Sequence, residues 1–423
     1  MLFFKKNYKL LIISLIIIAC IGSIYGHTLR APKRGYSDFH CFYVAGKRIL
    51  NQENIYVIKD KTAAEFRYAP IFAVLMSGLA LMEEGKADTL WHIINLYLLV
   101  ILFILMKKMV TLDKLDYRAG LLLYGLTFLG VMRFILNNLN TGQSNILMMS
   151  GIIIGLYYIS KKNEVLGGSI LAFSMTIKYT PLIFIPYFLL RRKIKLSLVI
   201  LASLAVYLLL PSLFIGSKTN ISYLKNMVSF LTNSTILEKT TILDPKNQSL
   251  LSLFHRLFSY RALLNHFHIP PMPFQSLKLS DASINLIFIS AATVIYLMAL
   301  YRPRKIYLSE SAYNNIDYAL LLICVALFNL NAWMHNYILL TPGYFVLAYY
   351  LIKIGFKDKL VLTLCLFSYL LNIMTIKSIL GETLTYKIYF YSPFTISGML
   401  VFLALLRIKF LKRQAKNAQT FEG

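Results

Sequence analysis

The sequence predicts an all-α integral membrane protein of about twelve transmembrane helices, with interfacial helices in its exterior loops. Three observations carry this. Of 423 residues, 58% are hydrophobic and only 15% are charged, whereas a soluble domain is about 45–50% apolar and about 25% charged. Apolar runs near the length of a bilayer crossing recur along the whole chain, separated by short polar or basic interruptions. Lys and Arg concentrate in alternate short loops. Gly (20), Pro (12) and Cys (4) are too sparse, and the apolar content too high, for a disordered, collagen-like or disulfide-scaffold chain.

The runs lie near residues 10–25, 69–82, 91–106, 119–134, 145–160, 165–190, 195–215, 284–301, 317–332, 337–352, 360–376 and 393–410. Lys178 and Pro181 interrupt 165–190, which reads either as one broken helix or as two half-helices. An even count puts both termini on one face. With that face cytoplasmic, the cytoplasmic segments hold 20 basic residues and the short outer loops 8. The expected location is the plasma (inner) membrane, as a single membrane domain over 1–423 with long exterior loops at 26–68 and 216–283. One outer segment, with Lys107, Lys108, Lys114 and Arg118, violates the charge rule locally; moving it inside requires re-counting one span.

Lys5 and Lys6 before the apolar stretch from Leu10 to Ile21 resemble a signal peptide, and the same stretch serves equally as a signal anchor without cleavage. Cys20, Cys41, Cys324 and Cys365 have no metal-like spacing and read as small hydrophobes. No GxxxxGK[ST], GxGxxG or HExxH pattern is present, which argues against nucleotide binding and zinc hydrolysis. The net charge of +26 would suggest nucleic acid for a soluble protein; here it is first a matter of topology and anionic lipid, so membrane lipids rather than nucleic acid are the expected partners.

Acids are few, 18 in all, and 11 of them fall outside on this topology. Asp38 begins Ser37-Asp38-Phe39-His40-Cys41-Phe42-Tyr43-Val44-Ala45-Gly46, whose apolar spacing suits a helix in the membrane interface. Two readings of it stand: a base that reaches a membrane-bound hydroxyl, or the N-cap of that helix. Lys178, in an apolar stretch, costs about 2.5 kcal/mol or more if unpaired, so it either faces a cavity as a phosphate partner or snorkels to an interface. His335, in Asn331-Ala332-Trp333-Met334-His335-Asn336-Tyr337, suits a phosphate or sugar contact, or a place in an aromatic belt. Asn247-Gln248-Ser249 and Arg256 offer amide and guanidinium donors in the long loop. His92, His255, His266 and His268 have no partner pattern, and the residue two after Asp38 is His40, so no DxD metal pair forms.

In order and spacing these residues resemble glycosyltransferase family 87: Asp38-Phe39, then Phe66-Arg67-Tyr68-Ala69-Pro70, Trp91, Asn140-Thr141-Gly142-Gln143-Ser144-Asn145, Gly167-Gly168 with Lys178 and Pro181, Asn247-Gln248-Ser249, and Trp333 with His335. The resemblance runs from about residue 37 to 345. It implies a GT-C-like fold and a hexosyltransferase such as a mannosyltransferase, working without a cofactor or metal. The implied donor is a sugar on a polyprenyl phosphate, used on the non-cytoplasmic face, with a glycolipid or glycan acceptor. It further implies Asp38 as the base, with Lys178, Arg256, His335, Arg67, Gln143 and Asn247 as substrate-binding candidates. The competing expectations are a lipid or glycan transporter or flippase, a polysaccharide polymerase or ligase, and a catalytically silent assembly partner.

Overall fold

The computed structural model describes residues 20–29, 37–56, 65–110, 115–232, 239–259, 277–303 and 309–411. Most of the first apolar run (10–19), its basic flank (Lys5, Lys6 and Lys9) and the basic tail from Lys412 onward lie outside these residues, as do His266, His268, Lys114, Arg304 and Lys305. Among the described residues every regular element is helical. In chain order the first part comprises α1 (20–29), α2 (Asp38–Leu50), α3 (Pro70–Ala80), α4 (Glu84–Val110), α5 (Tyr117–Thr141), α6 (Asn145–Ser160), α7 (Glu164–Ile177), α8 (Phe184–Leu190), α9 (Ile194–Leu209), α10 (Ser212–Ile215) and α11 (Ser217–Thr232). The second part comprises α12 (Lys239–Leu243), α13 (Leu250–Phe258), α14 (Asp281–Leu300), α15 (Glu310–Phe328), α16 (Thr341–Lys353), α17 (Lys359–Ile373), α18 (Lys377–Phe390) and α19 (Pro393–Lys409).

Short polar residues set many of the helix starts. Ser37, Asn163, Ser249, Ser280, Ser309 and Asp358 each accept a backbone N–H from the first turn of α2, α7, α13, α14, α15 and α17, satisfying donors that a helix start otherwise leaves orphaned. Pro70 opens α3, where its missing N–H costs nothing.

Among the described residues five helices are long and apolar enough to cross a membrane: α4, α5, the Ile194–Ile215 stretch of α9 and α10, α14 and α15. A sixth crossing arises if the bent pair Ile379–Phe390 and Pro393–Lys409, at 57°, counts as one. Several of the other apolar runs are helices of 10–17 residues, about 15–25 Å at 1.5 Å per residue against a hydrocarbon core of about 30 Å. The 165–190 run is two half-helices: α7 ends at Ile177, Lys178 is extended (φ −142°, ψ 136°), and a 3-10 turn at Thr180–Ile183 leads into α8. Thr180 precedes Pro181, which disfavours α geometry and removes a donor, so the helix cannot run through.

The chain forms two compact units, each assembled from separate stretches. The first comprises Met1–Leu105, Asn138–Tyr179 and Ile194–Thr232. Within it α6 and α7 pair tightly, and α9 packs beside α7. Gly168 of α7 faces Leu196, Val199 and Ile200, while Phe173 meets Tyr207 edge to face at 5.7 Å. Residue numbers rise together along α7 and α9, so the two helices are parallel. Lys178 and Tyr207 therefore mark one end of the unit, and the α6–α7 turn with the start of α9 marks the other.

Helices α2 and α3 form an antiparallel hairpin at the Lys178 end. Gly46 permits the close approach, since a Cβ there would fall 2.6 Å from the Met76 backbone. The Tyr43 hydroxyl donates to the Met82 carbonyl at 2.8 Å, and His40 Nδ1 lies 2.6 Å from Glu84 Oε1. The sequence reading makes 69–82 a span and sets Glu83, Glu84 and Asp88 across the membrane from Asp38. Instead the 11 residues of α3, about 16 Å long, return the chain to the end it came from.

The second unit comprises Met106–Asn137, Thr180–Lys193 and Asn233–Gly423. Helix α15 runs through its core, with most of its residues buried. Near the start of α15 the fully buried Asp317 carboxylate gathers Arg191, Arg302 and Lys409 at 2.8–3.1 Å, and the Tyr187 hydroxyl donates to it at 3.2 Å. Those cations come from the end of α8, the end of α14 and the end of α19, so one carboxylate ties four segments together. Between α16, α17 and α19, Tyr344, Ser368, Asn372 and Ser397 form a buried hydroxyl and amide network.

Candidate functional site

The site grows from a helix start. Ser37, and not Asp38, caps α2: its Oγ accepts the His40 N–H at 3.2 Å. Asp38 is the first helical residue, so its carboxylate is not consumed in capping and the cap reading of Asp38 fails. The half-buried carboxylate accepts a hydrogen bond from the buried Gln143 amide and feels the charge of Lys178. Burial pushes its pKa above the ordinary aspartate value, and the Gln143 bond and Lys178 pull the other way. Its charge also reaches the buried Cys41 and the half-buried Tyr68.

Gln143 is aimed at Asp38 by a tight turn between α5 and α6. Gly142 adopts φ +69°, and a Cβ there would fall 2.6 Å from Phe39 Cβ. Glycine alone satisfies both demands. The turn is held from the other side by Trp91, whose indole N–H donates to the Gly142 carbonyl at 2.8 Å. Trp91 is itself set among Phe39, Phe42 and Phe72, with ring centroids 6.3–6.4 Å away.

Two residues after Gln143, the fully buried Asn145 opens α6. Its Oδ1 accepts a hydrogen bond from Lys178 Nζ at 2.6 Å, and its Nδ2 donates to Asn138 Oδ1 at 3.1 Å. The half-buried Lys178 emerges from the break between α7 and the 3-10 turn. Arg67 is exposed and pairs with Glu65 at 2.8 Å, and its charge reaches the neighbouring Tyr179. The first unit thus gathers four of the sequence candidates, Asp38, Gln143, Lys178 and Arg67, on its Lys178 end.

Three candidates lie in the second unit. Asn247 is fully buried: its Nδ2 donates to the Thr241 and Leu330 carbonyls, and its Oδ1 accepts the N–H groups of Ser249 and Ala332. Gln248 donates to Pro245 and Tyr389 carbonyls. The buried Arg256 guanidinium donates to the Asp244 and Asn247 carbonyls and to the Ser252 and Ser392 hydroxyls. Asn247 and Arg256, expected as substrate contacts, are engaged in holding the 241–258 segment to 330–332 and to Ser392. His335 is half-buried in the 3-10 helix Met334–Leu340.

Among the described residues no group of three or more His, Cys, Asp and Glu side chains is placed to hold a metal ion. Two features of the site went unremarked in the sequence: Asn145 and Asn138 as the seat of Lys178, and Glu84 beside His40. A signal for the first was present, since Asn137, Asn138, Asn140, Gln143 and Asn145 crowd five carboxamides into nine residues at the end of an apolar run.

The sequence profile of glycosyltransferase family 87 matches residues 66–330, more than half of the chain. The chain belongs to glycosyltransferase family 87. With five or six helices able to cross a bilayer, this family 87 protein is a membrane glycosyltransferase. No curated relative matches it. The family 87 match contains Arg67, Gln143, Lys178, Asn247 and Arg256; Asp38 lies before it and His335 after it.

Proposed function

We propose that this family 87 protein moves a sugar, mannose or another hexose, from a polyprenyl phosphate to an acceptor hydroxyl on the non-cytoplasmic face, with inversion and with Asp38 as general base. One observation carries the reading. Asp38 is spared from capping, oriented by Gln143 and placed within electrostatic reach of Lys178, so a base and a cation share one end of the first unit. In the reaction the acceptor oxygen gives its proton to Asp38 and bonds to the anomeric carbon. The bond from that carbon to the phosphate oxygen breaks with its electron pair, and the departing polyprenyl phosphate carries the negative charge away. Lys178, and Arg67 at the exposed rim, are the cations available to that charge. Burial that lifts the Asp38 pKa also makes the carboxylate a stronger base.

Purified protein incubated with a panel of radiolabelled polyprenyl-phosphate sugars and an acceptor membrane extract tests this. Transfer by wild type is expected, with a loss of about 10²–10⁴-fold in Asp38→Asn and donor binding retained. Wild-type turnover in Asp38→Asn sinks the base assignment.

In the same reading the Asp38 end of the first unit faces the exterior and α2–α3 is an interfacial hairpin. Helix α4 then carries the chain inward, which puts Lys107, Lys108 and Arg118 in the cytoplasm. Lys161, Lys162 and Lys195, at the opposite end from Lys178, fall there too. Lys86 moves outside. The loss of one crossing at α3 is offset by two at α7 and α8, which preserves twelve, and the local violation of the charge rule at Lys107–Arg118 disappears.

A further inference from the structure

We propose that Asn145 is a positioning residue that seats the Lys178 ammonium for an anionic phosphate. The inference rests on the reading of this site as one that takes a lipid phosphate.

A lysine is a point charge on a flexible four-carbon stem, and in an apolar setting it tends to reach for the nearest water. For Lys178 to act on a phosphate beside Asp38, something must hold it. The backbone supplies part of the answer, since Lys178 sits in an extended break directly after α7. Asn145 supplies the rest. Its Oδ1 accepts the Lys178 Nζ hydrogen bond at 2.6 Å, and an ammonium can only donate, so the amide orientation is fixed. The Nδ2 group must then face an acceptor, and it does, donating to Asn138 Oδ1 at 3.1 Å. Asn145 is fully buried at the first position of α6 and Asn138 is buried on α5, so neither amide is free to swing.

The choice of an amide matters chemically. A carboxylate at 145 would seat the lysine equally well but cancel its charge. A neutral acceptor directs the ammonium and leaves its positive charge available to an incoming anion. The same turn also delivers Gln143 to Asp38. Residues 143 and 145 thus set the base and the cation from one rigid segment, pinned by Gly142 against Phe39 and Trp91.

The test measures binding of a sugar-free polyprenyl phosphate to the purified full chain in detergent, with melting temperature as a parallel readout. The variants are Asn145→Ala, Asn145→Asp, Lys178→Ala and Asn145→Ala/Lys178→Ala. Asn145→Ala is expected to weaken binding about tenfold, the scale of one hydrogen bond to a charged group. The double variant should bind no worse than Lys178→Ala alone, because Asn145 acts through Lys178. Asn145→Asp should lose binding to the level of Lys178→Ala while melting no lower than Asn145→Ala, which likewise lacks the hydrogen bond to Asn138; a purely structural asparagine would lose binding in step with melting temperature. Independent, multiplying losses for the two single variants, or wild-type binding by Asn145→Asp, overturn the positioning role. Failure of the wild type to bind polyprenyl phosphate overturns instead the functional reading beneath it.

Discussion

Asp38 shows how a single residue's fate depends on its neighbour. Because Ser37 takes the cap, the Asp38 carboxylate is left to Gln143 and Lys178, and burial raises its pKa. The consequences for pH run in opposite directions for activity and stability. A base must be ionised, so kcat/KM should fall as pH drops through the raised pKa, and the acid limb of the profile should lie above the ordinary 3.8 of an aspartate. For folding, a raised carboxylate pKa favours the neutral form, so its contribution to stability is present at low pH and lost as pH rises through the folded-state value. Asp38→Asn is therefore expected to melt no lower than wild type at neutral pH while losing transfer. A pH–rate profile together with a melting curve in detergent checks both, and an acid limb at or below the ordinary value counts against Asp38 as the titrating base.

At the scale of elements, the turn from α5 to α6 and the hairpin of α2 and α3 build the site. Gly142 is the most constrained point, because it combines φ +69° with a Cβ position 2.6 Å from Phe39. Gly142→Ala should cost about 1–3 kcal/mol from backbone strain, with the Phe39 contact added. It should also depress transfer by moving Gln143 off Asp38. Melting temperature and kcat measured together are the check; an alanine variant with unchanged kcat would show that the turn does not position the base. Some of these elements were legible beforehand. The helix over Asp38–Gly46 and the break at Lys178–Pro181 follow from apolar spacing, from a cation in an apolar run and from the backbone restrictions of proline. The hairpin was not, because an 11-residue apolar helix that packs on a neighbour and one that enters a bilayer have the same composition.

At the scale of the whole molecule, charge and topology have to agree. In the proposed arrangement Lys86 is exterior and Lys108 cytoplasmic, the reverse of what counting apolar runs gives. Labelling of Lys86→Cys and Lys108→Cys in intact cells with a membrane-impermeant maleimide distinguishes them. The expected outcome is reaction at 86 and protection at 108 until the membrane is permeabilised; the opposite pattern restores 69–82 as a span. The sequence by itself determined that the chain is helical and built for a membrane, because apolar run length and charge content are local, additive properties. It also placed Asp38 and Lys178 on the short list, since polar groups beside apolar runs are costly and few, while Gln143 entered through the resemblance to family 87. The tertiary structure decided which of the polar residues are tied up inside the fold. Arg256 and Asn247 are engaged with carbonyls and hydroxyls, and Asp317 draws in Arg191, Arg302 and Lys409, whereas Asn145 came forward as the seat of Lys178. Hydrogen-bond partners 33 to 130 residues apart in sequence are set by packing, and no local pattern records them.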